Sequence, residues 1–210
     1  MIASQKIVVA GIGTEVGKTV VSAALVHLLK ADYWKPIQAG ELENSDSIKV
    51  AEYTQELGKL HPEAYRLNSP MSPHAAAAID QIEIQLEKLV IPQTENHLII
   101  ELAGGLMVPL NNQQSNLDWL KKIQLPVVLV SCYYLGQINH TLLSIEVLKA
   151  NKIPLLGIIF NGKENKDSKK AILEIGNTIE LGTLPHLEEV NYDSIKKAAH
   201  EIRLDRALTV

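Results

Sequence analysis

The 210-residue chain is 46% hydrophobic and 21% charged, and its 24 acidic against 20 basic residues give a formal net charge of −4. This composition is typical of a globular protein with one domain or at most two small ones, and it excludes the fibrous, disordered and miniprotein classes. No lysine- or arginine-rich stretch interrupts the charge balance, so a nucleic-acid partner is not expected. Two tryptophans, six tyrosines and one phenylalanine offer little for a platform that stacks on single strands.

The number of cysteines and the terminal segments indicate the cellular compartment in which the protein is expected. Cys132 is the single cysteine, so it has no internal disulfide partner, and its apolar surroundings over residues 126–134 favour packing in the core. Residues 1–5 form a short lead-in without a secretory signal, and residues 194–210 are too polar for a membrane anchor. No apolar run reaches the roughly 18–20 residues that span a bilayer. We therefore expect a cytoplasmic protein without a membrane partner.

Short aliphatic runs alternate along the chain with segments of helical spacing. The runs are continuously hydrophobic, which predicts strands buried on both faces, as in a parallel sheet covered by helices. The sequence therefore predicts an α/β fold with a mostly parallel sheet, helices on both faces and right-handed crossovers. The predicted strands are residues 7–10, 33–37, 98–102, 127–131, 155–160 and 179–183. The predicted helices are residues 17–30, 45–57, 84–89, 115–122, 139–150 and 167–178.

Residues 58–73 form the one long irregular stretch, and a segment of that length in a compact domain is often functional. It leads into the sequence Ser-Pro-Met-Ser-Pro-His over residues 69–74, where the prolines stiffen the entry to a following helix. Ser72 would either cap that helix or contact a substrate, and both roles remain open. No repeat or Gly-, Pro- or Ser-rich linker marks a second domain, so residues 1–210 are expected to form one domain.

The strongest motif is Gly-Ile-Gly-Thr-Glu-Val-Gly-Lys-Thr over residues 11–19, directly after the first predicted strand and at the start of the first predicted helix. Such a turn directs backbone N–H groups and the positive end of a helix dipole at one point, which suits a polyphosphate. Lys18 would then reach the β and γ phosphates, and the Thr19 hydroxyl would bind Mg²⁺. Gly11 and Gly17 are separated by one residue more than in the strict phosphate-loop pattern, so a chance glycine turn is the competing interpretation.

Two acidic residues farther along the chain favour the nucleotide interpretation. Asp46 lies in the first turn of a predicted helix, where it would face a phosphate-bound Mg²⁺ or merely complement the helix dipole. Glu101 is predicted at the end of a buried strand, ahead of Gly104 and Gly105. A carboxylate there costs several kcal/mol of desolvation unless it is paired or binds a metal. With Thr19, Glu101 would complete a set of oxygen ligands, which Mg²⁺ prefers.

The combined motifs resemble the dethiobiotin synthetase family, in the usual order of that family, from about residue 7 to residue 187. The resemblance accounts for the longer phosphate loop, because members of that family place the first glycine five residues ahead of Gly-Lys-Thr. The matching segments are residues 11–19, Lys-Pro-Ile-Gln-Ala-Gly at 35–40, Asn-Ser-Asp at 44–46, residues 69–74, Glu-Leu-Ala-Gly-Gly at 101–105, Leu-Gly-Gln-Ile-Asn-His at 135–140 and Phe-Asn-Gly-Lys at 160–163.

The resemblance implies a P-loop NTPase fold and an ATP-dependent ligase of biotin biosynthesis that converts 7,8-diaminopelargonic acid, CO₂ and ATP into dethiobiotin, ADP and phosphate. One amine of the substrate captures CO₂ as a carbamate, which accepts the γ-phosphoryl group, and the second amine then closes the cyclic urea. Because carbamate and γ-phosphate are both anions, catalysis would rest on positioning and charge neutralisation. Lys18, Lys35 and Mg²⁺ would supply three cationic centres, and no protein nucleophile is required.

The resemblance also implies site residues, with Lys35 and Lys18 as catalytic residues and Thr19, Asp46 and Glu101 as magnesium ligands. Asn161 would contact adenine through its amide; without the resemblance it is a strand-end turn residue. The implied nucleotide-binding residues are Glu15, Val16, Gly17, Lys18, Thr19, Val20, Asp46, Glu101, Leu102, Ala103, Gly104, Asn161, Gly162, Pro185, His186 and Leu187. The implied substrate-binding residues are Thr14, Lys35, Ser72, Gly136, Ile138 and Asn139.

In the family the diamine lies at a two-fold homodimer interface, so Gly136, Ile138 and Asn139 would reach the substrate of the other subunit. Asn139 would alternatively serve as an N-cap. The chain departs from the family pattern at Ala39, where a hydroxyl residue is frequent, and at Leu102, where glycine is usual.

Two other functions remain open. A partitioning or septum-site ATPase of the same fold carries a signature lysine early in the phosphate loop, at the position held by Gly13. A non-catalytic nucleotide-binding regulatory module would not need Lys35, Asp46 and Glu101 together. Both alternatives are therefore less favoured than a synthetase.

Overall fold

The structure is a computed structural model that describes residues 4–204. The expectations for residues 1–3 of the lead-in and residues 205–210 of the polar C-terminal segment lie outside the described residues. The strands are β1 (Lys6–Gly11), β2 (Asp32–Trp34), β3 (Ile37–Ala39), β4 (Leu60–His61), β5 (Tyr65–Leu67), β6 (Leu98–Gly105), β7 (Val127–Cys132), β8 (Leu155–Asn161) and β9 (Glu180–Leu184). The helices are α1 (Lys18–Leu29), α2 (Asp46–Thr54), α3 (Pro73–Ile79), α4 (Asn116–Ile123), α5 (Gln137–Ala150), α6 (Lys166–Ile175) and α7 (Tyr192–Ala199).

Seven strands form one sheet in the order β4-β2-β6-β1-β7-β8-β9, and all its neighbouring strands run parallel. The strands β3 and β5 form a small parallel sheet of their own. The predicted parallel α/β architecture is therefore confirmed. Because parallel strands all end at the same edge, the segments that follow β1, β2, β6 and β8 meet there.

The hydrophobic core has two parts, one on each face of the large sheet. Along β1, Ile7 and Val9 pack with α1, α2 and α7, whereas Val8 and Ala10 pack with α3 to α6 and the small sheet. The strands β1, β6, β7 and β8 are thus buried on both faces, which explains their continuous hydrophobicity. Cys132 is half-buried and packs against the core on the α1 side, as expected. Within residues 4–204, no helix has the length and apolarity to cross a membrane.

A buried carboxylate fixes the sheet edge opposite the phosphate loop. Asp32, at the start of β2, accepts hydrogen bonds from the Lys59 amide at 3.1 Å, the Asn96 amide group at 3.0 Å and the Thr94 hydroxyl at 2.7 Å. The Nε2 atom of His61 lies 3.0 Å from the same carboxylate. Burial would raise the pKa of Asp32, yet these hydrogen bonds hold that pKa below its usual value. The carboxylate therefore stabilises the contact of β2 with β4 and with the segment before β6.

Several predicted elements differ from the structure. The expected strand 33–37 is split into β2 and β3, because Pro36 has no N–H to continue a ladder. The expected helix 84–89 is only a 3₁₀ turn over Leu86–Lys88. Such a short segment does not nucleate an α-helix, and its buried apolar residues anchor the turn instead. The stretch 58–73, expected to be irregular, contains β4 and β5.

The helix α7 was not predicted, although its start carries a recognisable signal. The Asn191 side chain accepts a hydrogen bond from the Ser194 amide at 3.0 Å, and the Ser194 hydroxyl accepts one from the Asn191 amide at 3.0 Å. This reciprocal pair is a capping box. The spacing Asn-x-x-Ser ahead of Ile195, Ala198 and Ala199, which recur at helical spacing, is a local signal of this helix.

Candidate active site

A cleft of about 770 Å³ opens at the edge of the sheet where β1, β2 and β6 end. Its walls are the loop after β1, the segment from β2 to the start of α2, the residues that precede α3, and the end of β6. The predicted site residues that line this cleft are Thr14, Glu15, Gly17, Lys18, Thr19, Val20, Lys35, Asp46, Ser72, Glu101, Ala103 and Gly104. The fold thus brings residues from five separate motifs to one cavity.

The phosphate loop depends on a glycine immediately before α1. Gly17 has φ 89°, a left-handed conformation that disfavours other residues, and an added Cβ would lie 2.1 Å from the side-chain nitrogen of Asn161. Asn161, at the end of β8, donates a hydrogen bond to the Val16 carbonyl at 3.1 Å. Asn161, the residue expected to contact adenine, is therefore hydrogen-bonded to the backbone of the phosphate loop. The Val16 side chain itself is buried in the core.

The Lys18 side chain is held over the phosphate loop by a backbone carbonyl of that loop. Its ammonium donates to the Gly13 carbonyl at 2.8 Å, and the residue is 7% exposed. Burial lowers the pKa of Lys18 to about 8, although the nearby Glu101 carboxylate opposes this shift. A buried ammonium beside a helix N-terminus is an environment that favours an anion.

The second lysine, Lys35, lies between two carboxylates. Its ammonium forms ion pairs with Asp46 and, at 3.0 Å, with Glu101. The same Glu101 oxygen, Oε1, accepts a hydrogen bond from the Thr19 hydroxyl at 3.0 Å. Oε2 accepts one from the Tyr33 hydroxyl at 2.9 Å. We call these five residues the lysine–carboxylate cluster.

The charges of this cluster stabilise one another. Burial alone would lower the pKa of Lys35, yet Glu101 and Asp46 raise it above its ordinary value. Desolvation would raise the pKa of Asp46, but the Lys35 ammonium holds it below the usual range. Burial and the Glu101 carboxylate raise the pKa of Tyr33 well above that of a free phenol. Lys35 therefore remains a cation and Tyr33 remains a hydrogen-bond donor.

The strand β6 determines where Glu101 points. Glu101 was expected at the end of its strand, but β6 continues to Gly105, which pairs with Gly11 after an irregularity in the ladder. Glu101 shares a face with Ile99, which belongs to the core beside α1, and so faces Thr19 at the start of that helix. The Leu102 side chain, by contrast, is buried in the opposite core and does not line the cleft.

The oxygen atoms around the Lys35 ammonium fit a magnesium ion that also binds phosphate. Asp46 and Glu101 supply two carboxylates to one cationic centre, and the Thr19 hydroxyl lies at hydrogen-bond distance from Glu101. No cluster of three His, Cys, Asp or Glu side chains suited to a metal occurs among residues 4–204. Mg²⁺ is usually held by one or two carboxylates plus substrate phosphates and water. The donor set therefore suits a cation delivered with a nucleotide rather than one held by protein alone.

A second cavity, of about 500 Å³, lies beyond Asn161. Its lining residues are Gly162, Lys163, Glu164, Thr183, Pro185 and His186. Three predicted nucleotide contacts, Gly162, Pro185 and His186, are thus brought together, whereas Leu187 lines a neighbouring pocket with Pro185. Gly162 has φ 100° with open space around its Cα, so backbone can approach a ligand closely there.

The predicted substrate residues fall into two groups. Thr14, Lys35 and Ser72 line the cleft, whereas Gly136, Ile138 and Asn139 lie at the start of α5 and do not. Gly136 is the N-cap of α5, so Asn139 lies inside the first turn and the alternative that it caps the helix was wrong. Ser72 occupies the N-cap position of α3, but its side chain makes no capping hydrogen bond.

Two buried polar residues of the site were not predicted. Gln38 donates to the Gly40 carbonyl at 2.9 Å and accepts from the Asp46 amide at 3.3 Å, so it holds the segment that leads into α2. Tyr33 reaches Glu101 from the adjacent strand. Gln38 lies within a matched motif and could have been singled out there. Tyr33 carries no such signal, because its role depends on which strands are neighbours.

The chain is similar in sequence and in structure to known proteins. A family model described as an AAA domain matches residues 5–194. The ATP-dependent dethiobiotin synthetase BioD of Christiangramia forsetii is 51% identical over 93% of this chain and 94% of its own length. The protein of the same name from Rhodopseudomonas palustris strain BisB5 is 49% identical over 91% of each chain.

Solved structures show the likeness of the fold. A ParA family ATPase from Chlorobium tepidum matches with a TM-score of 0.60 and 13% identity over 98% of both chains. The septum site-determining protein MinD of Pyrococcus horikoshii matches with a TM-score of 0.60 and 14% identity over 94% of this chain and 95% of its own. At such identities only the P-loop ATPase fold is shared, whereas the sequence relatives are much closer. The chain belongs to the ATP-dependent dethiobiotin synthetase family.

Proposed function

We propose that the protein catalyses the ATP- and Mg²⁺-dependent carboxylation and ring closure of 7,8-diaminopelargonic acid with CO₂ to give dethiobiotin, through a carbamate and a carbamic–phosphoric anhydride. The observation that carries the proposal is the lysine–carboxylate cluster beside the phosphate loop. Lys35 lies in it between Asp46 and Glu101, and the Thr19 hydroxyl donates a hydrogen bond to Glu101. The identity of about half of the residues to named synthetases supports the same activity.

Charge neutralisation is the main task of the protein groups in this reaction. A carbamate oxygen and a γ-phosphate repel each other, so their approach requires cations placed at the point of contact. Lys18 would bind phosphate oxygens in place of the Gly13 carbonyl that its ammonium now contacts. Lys35 projects into the same cleft and would neutralise the carbamate as the phosphoryl group is transferred. An ammonium group suits this role because it is compact and can follow a moving oxygen.

Magnesium and the nucleotide would be held by residues from opposite walls of the cleft. Bound Mg²⁺ would neutralise phosphate charge and orient the oxygens for in-line transfer. Thr19, Asp46 and Glu101 are the residues we assign to it. The backbone of residues 15–20 would contact the phosphates, and Ala103 and Gly104 border that part of the cleft. Asn161, Gly162, Pro185, His186 and Leu187 are the residues that we assign to the base.

The diamine would extend from Thr14 and Ser72 towards a second subunit. Thr14 lines both the cleft and a neighbouring groove of about 400 Å³, whose walls include Met107, His140 and Leu143. Met107 and Leu143 are exposed in the single chain, and Leu135 is fully so. Exposed apolar residues clustered beside a site indicate a contact surface. We propose a homodimer through this groove, in which Gly136, Ile138 and Asn139 of one copy complete the substrate site of the other.

The decisive experiment is the release of ADP under four reaction conditions. The complete mixture holds ATP, Mg²⁺, bicarbonate and 7,8-diaminopelargonic acid, and each of the other mixtures omits one of the last three. We expect ADP only in the complete mixture, together with dethiobiotin detected by mass spectrometry. Equal ADP release without the diamine would refute the proposal and favour a partitioning-type ATPase. Nucleotide binding without turnover in any mixture would refute it in favour of a regulatory module.

A further inference from the structure

Tyr33 makes a buried contact with the lysine–carboxylate cluster that none of the motifs explains. It lies on β2 opposite Ile99 of β6, and Glu101 is two residues farther along β6, on the same face. Both Tyr33 and Glu101 are only 1% exposed. The phenol ring packs in the core beside α1, and only its hydroxyl reaches the cluster. The ring is therefore held in place by packing and cannot follow a moving carboxylate.

This hydrogen bond divides the two oxygens of Glu101 between different partners. Oε2 accepts from the Tyr33 hydroxyl at 2.9 Å, while Oε1 accepts from Thr19 and Lys35, each at 3.0 Å. Turning the carboxylate so that both oxygens faced Thr19 would leave the Tyr33 hydroxyl buried without a partner. An unsatisfied buried polar group is costly. Glu101 is thus restrained to present one oxygen to the cleft.

We propose that Tyr33 is a positioning residue that restricts Glu101 to one-oxygen coordination and thereby favours Mg²⁺ over Ca²⁺ at the site. The inference rests on the proposed function, because it takes Glu101 to be a ligand of the nucleotide-bound cation. Mg²⁺ demands near-ideal octahedral geometry with short bonds to single oxygens, whereas Ca²⁺ accepts more ligands, longer bonds and bidentate carboxylates. A carboxylate fixed through its second oxygen suits the smaller ion. Outer hydrogen bonds of this kind commonly tune a metal site.

The test removes the Tyr33 hydroxyl and keeps the aromatic ring. Tyr33→Phe removes only the donor to Glu101, and Tyr65→Phe serves as the matched control. Tyr65 is also buried, and its hydroxyl accepts a hydrogen bond from the Gln85 amide at 3.0 Å, but it does not line the cleft. Isothermal titration calorimetry with a non-hydrolysable ATP analogue measures the Mg²⁺ and the Ca²⁺ concentrations at half-saturation. This measurement does not depend on turnover.

We expect Tyr33→Phe to raise the half-saturating Mg²⁺ concentration about tenfold, the lower end of the usual effect of losing such an outer partner. The half-saturating Ca²⁺ concentration should stay the same or fall, so the preference for Mg²⁺ shrinks by at least the same factor. In Tyr65→Phe the ratio of the two concentrations should equal that of the wild type. Thermal unfolding establishes that each variant is folded under the conditions used.

The possible results separate this inference from the proposal beneath it. If the wild type binds the analogue equally well with and without Mg²⁺, the metal assignment fails and the role of Tyr33 fails with it. If the wild type needs Mg²⁺ but Tyr33→Phe keeps the same metal preference, only the role of Tyr33 is overturned. An equal change in Tyr33→Phe and Tyr65→Phe would also overturn it, as a general effect of lost stability. Should Tyr33→Phe not fold, Tyr33→Met lacks the same hydroxyl and faces the same criteria.

Discussion

Lys35→Met removes the cation of the lysine–carboxylate cluster while keeping a side chain of similar length. Lys35 is 4% exposed and contacts both Asp46 and Glu101. After the substitution Glu101 keeps its hydrogen bonds from Thr19 and Tyr33, but no positive charge remains between the two carboxylates. Asp46 retains some contact with water, since its side chain is 22% exposed. The nucleotide-free protein should therefore be destabilised.

The size of this effect follows from the burial of the pair. At 3.0 Å, two unit charges attract by about 5.5 kcal/mol at an effective dielectric constant near 20. Desolvation of the ammonium offsets part of that attraction. Removing one partner of a buried ion pair typically costs about 3–5 kcal/mol, and the hydration of Asp46 favours the lower end. We expect a loss of about 3 kcal/mol, which in a domain of this size lowers the melting temperature by roughly 6–12 °C.

Magnesium should restore much of this loss in the variant. Once the ammonium is gone, Asp46, Glu101 and Thr19 form a site of oxygen ligands with unbalanced negative charge. An ion that binds only the folded state stabilises it by about 2.7 kcal/mol at 100 times its dissociation constant. Mg²⁺ should therefore raise the melting temperature of Lys35→Met by several degrees more than that of the wild type, whose Lys35 occupies the position. Turnover should be lost in the variant while nucleotide binding persists.

The assay is thermal unfolding of both proteins without nucleotide, with and without Mg²⁺. Lys49→Met is the matched control, because Lys49 also lines the cleft but pairs at 2.7 Å with Glu41, whose side chain is 63% exposed. Such a surface pair contributes about 0–1 kcal/mol, so the control should melt close to the wild type. Equal melting temperatures of Lys35→Met and the wild type, or equal stabilisation of the two by Mg²⁺, would refute the reasoning.

Three further predictions concern Gly17, Asp32 and Lys18. Gly17→Ala places a Cβ 2.1 Å from the Asn161 side chain at φ 89° and should weaken ATP binding at least about tenfold in calorimetry. Gly162→Ala is also strained but meets no neighbouring atom, so this variant should bind ATP more tightly than Gly17→Ala. The reverse order of affinities would contradict the steric argument. Asp32→Asn should cost about 3 kcal/mol in urea unfolding near pH 7. Because the pKa of Asp32 is lowered in the folded state, that difference should shrink as pH falls below about 4, and a difference independent of pH would disprove the charge effect. Because the pKa of Lys18 is about 8, nucleotide affinity should fall as pH rises above about 8, by up to tenfold per pH unit, and binding should be accompanied by proton uptake. An affinity that does not change with pH would show that Lys18 stays charged.

Local motifs carried most of the successful expectations. Strand, glycine-rich turn and helix are consecutive in the chain from β1 to α1, so their geometry follows from nearby residues. Continuous apolar runs predicted doubly buried parallel strands because the helices on both faces impose that pattern. Asp46 and Ser72 also lie in short motifs, and the structure brings both to the cleft.

Long-range contacts were beyond such reasoning. The Tyr33 and Glu101 side chains are 68 positions apart, and they meet only because β6 lies between β2 and β1. Strand order is a property of the whole chain, and no residue near Tyr33 in the sequence indicates it. The same holds for Asp32, whose partner Asn96 is 64 positions away. The end of β6 was misjudged for a related reason, because its last residue pairs with Gly11 of another strand.

The resting contacts of the two lysines explain how an acidic protein can keep a phosphate site. With a net charge of −4, the protein as a whole does not attract polyphosphate, so binding must rest on local groups. Lys18 and Lys35 are buried, and a buried charge is costly unless it has partners. The Gly13 carbonyl, Asp46 and Glu101 supply those partners without nucleotide. In the complex, phosphate oxygens would take the place of the Gly13 carbonyl at Lys18, so this buried charge has a partner both with and without nucleotide.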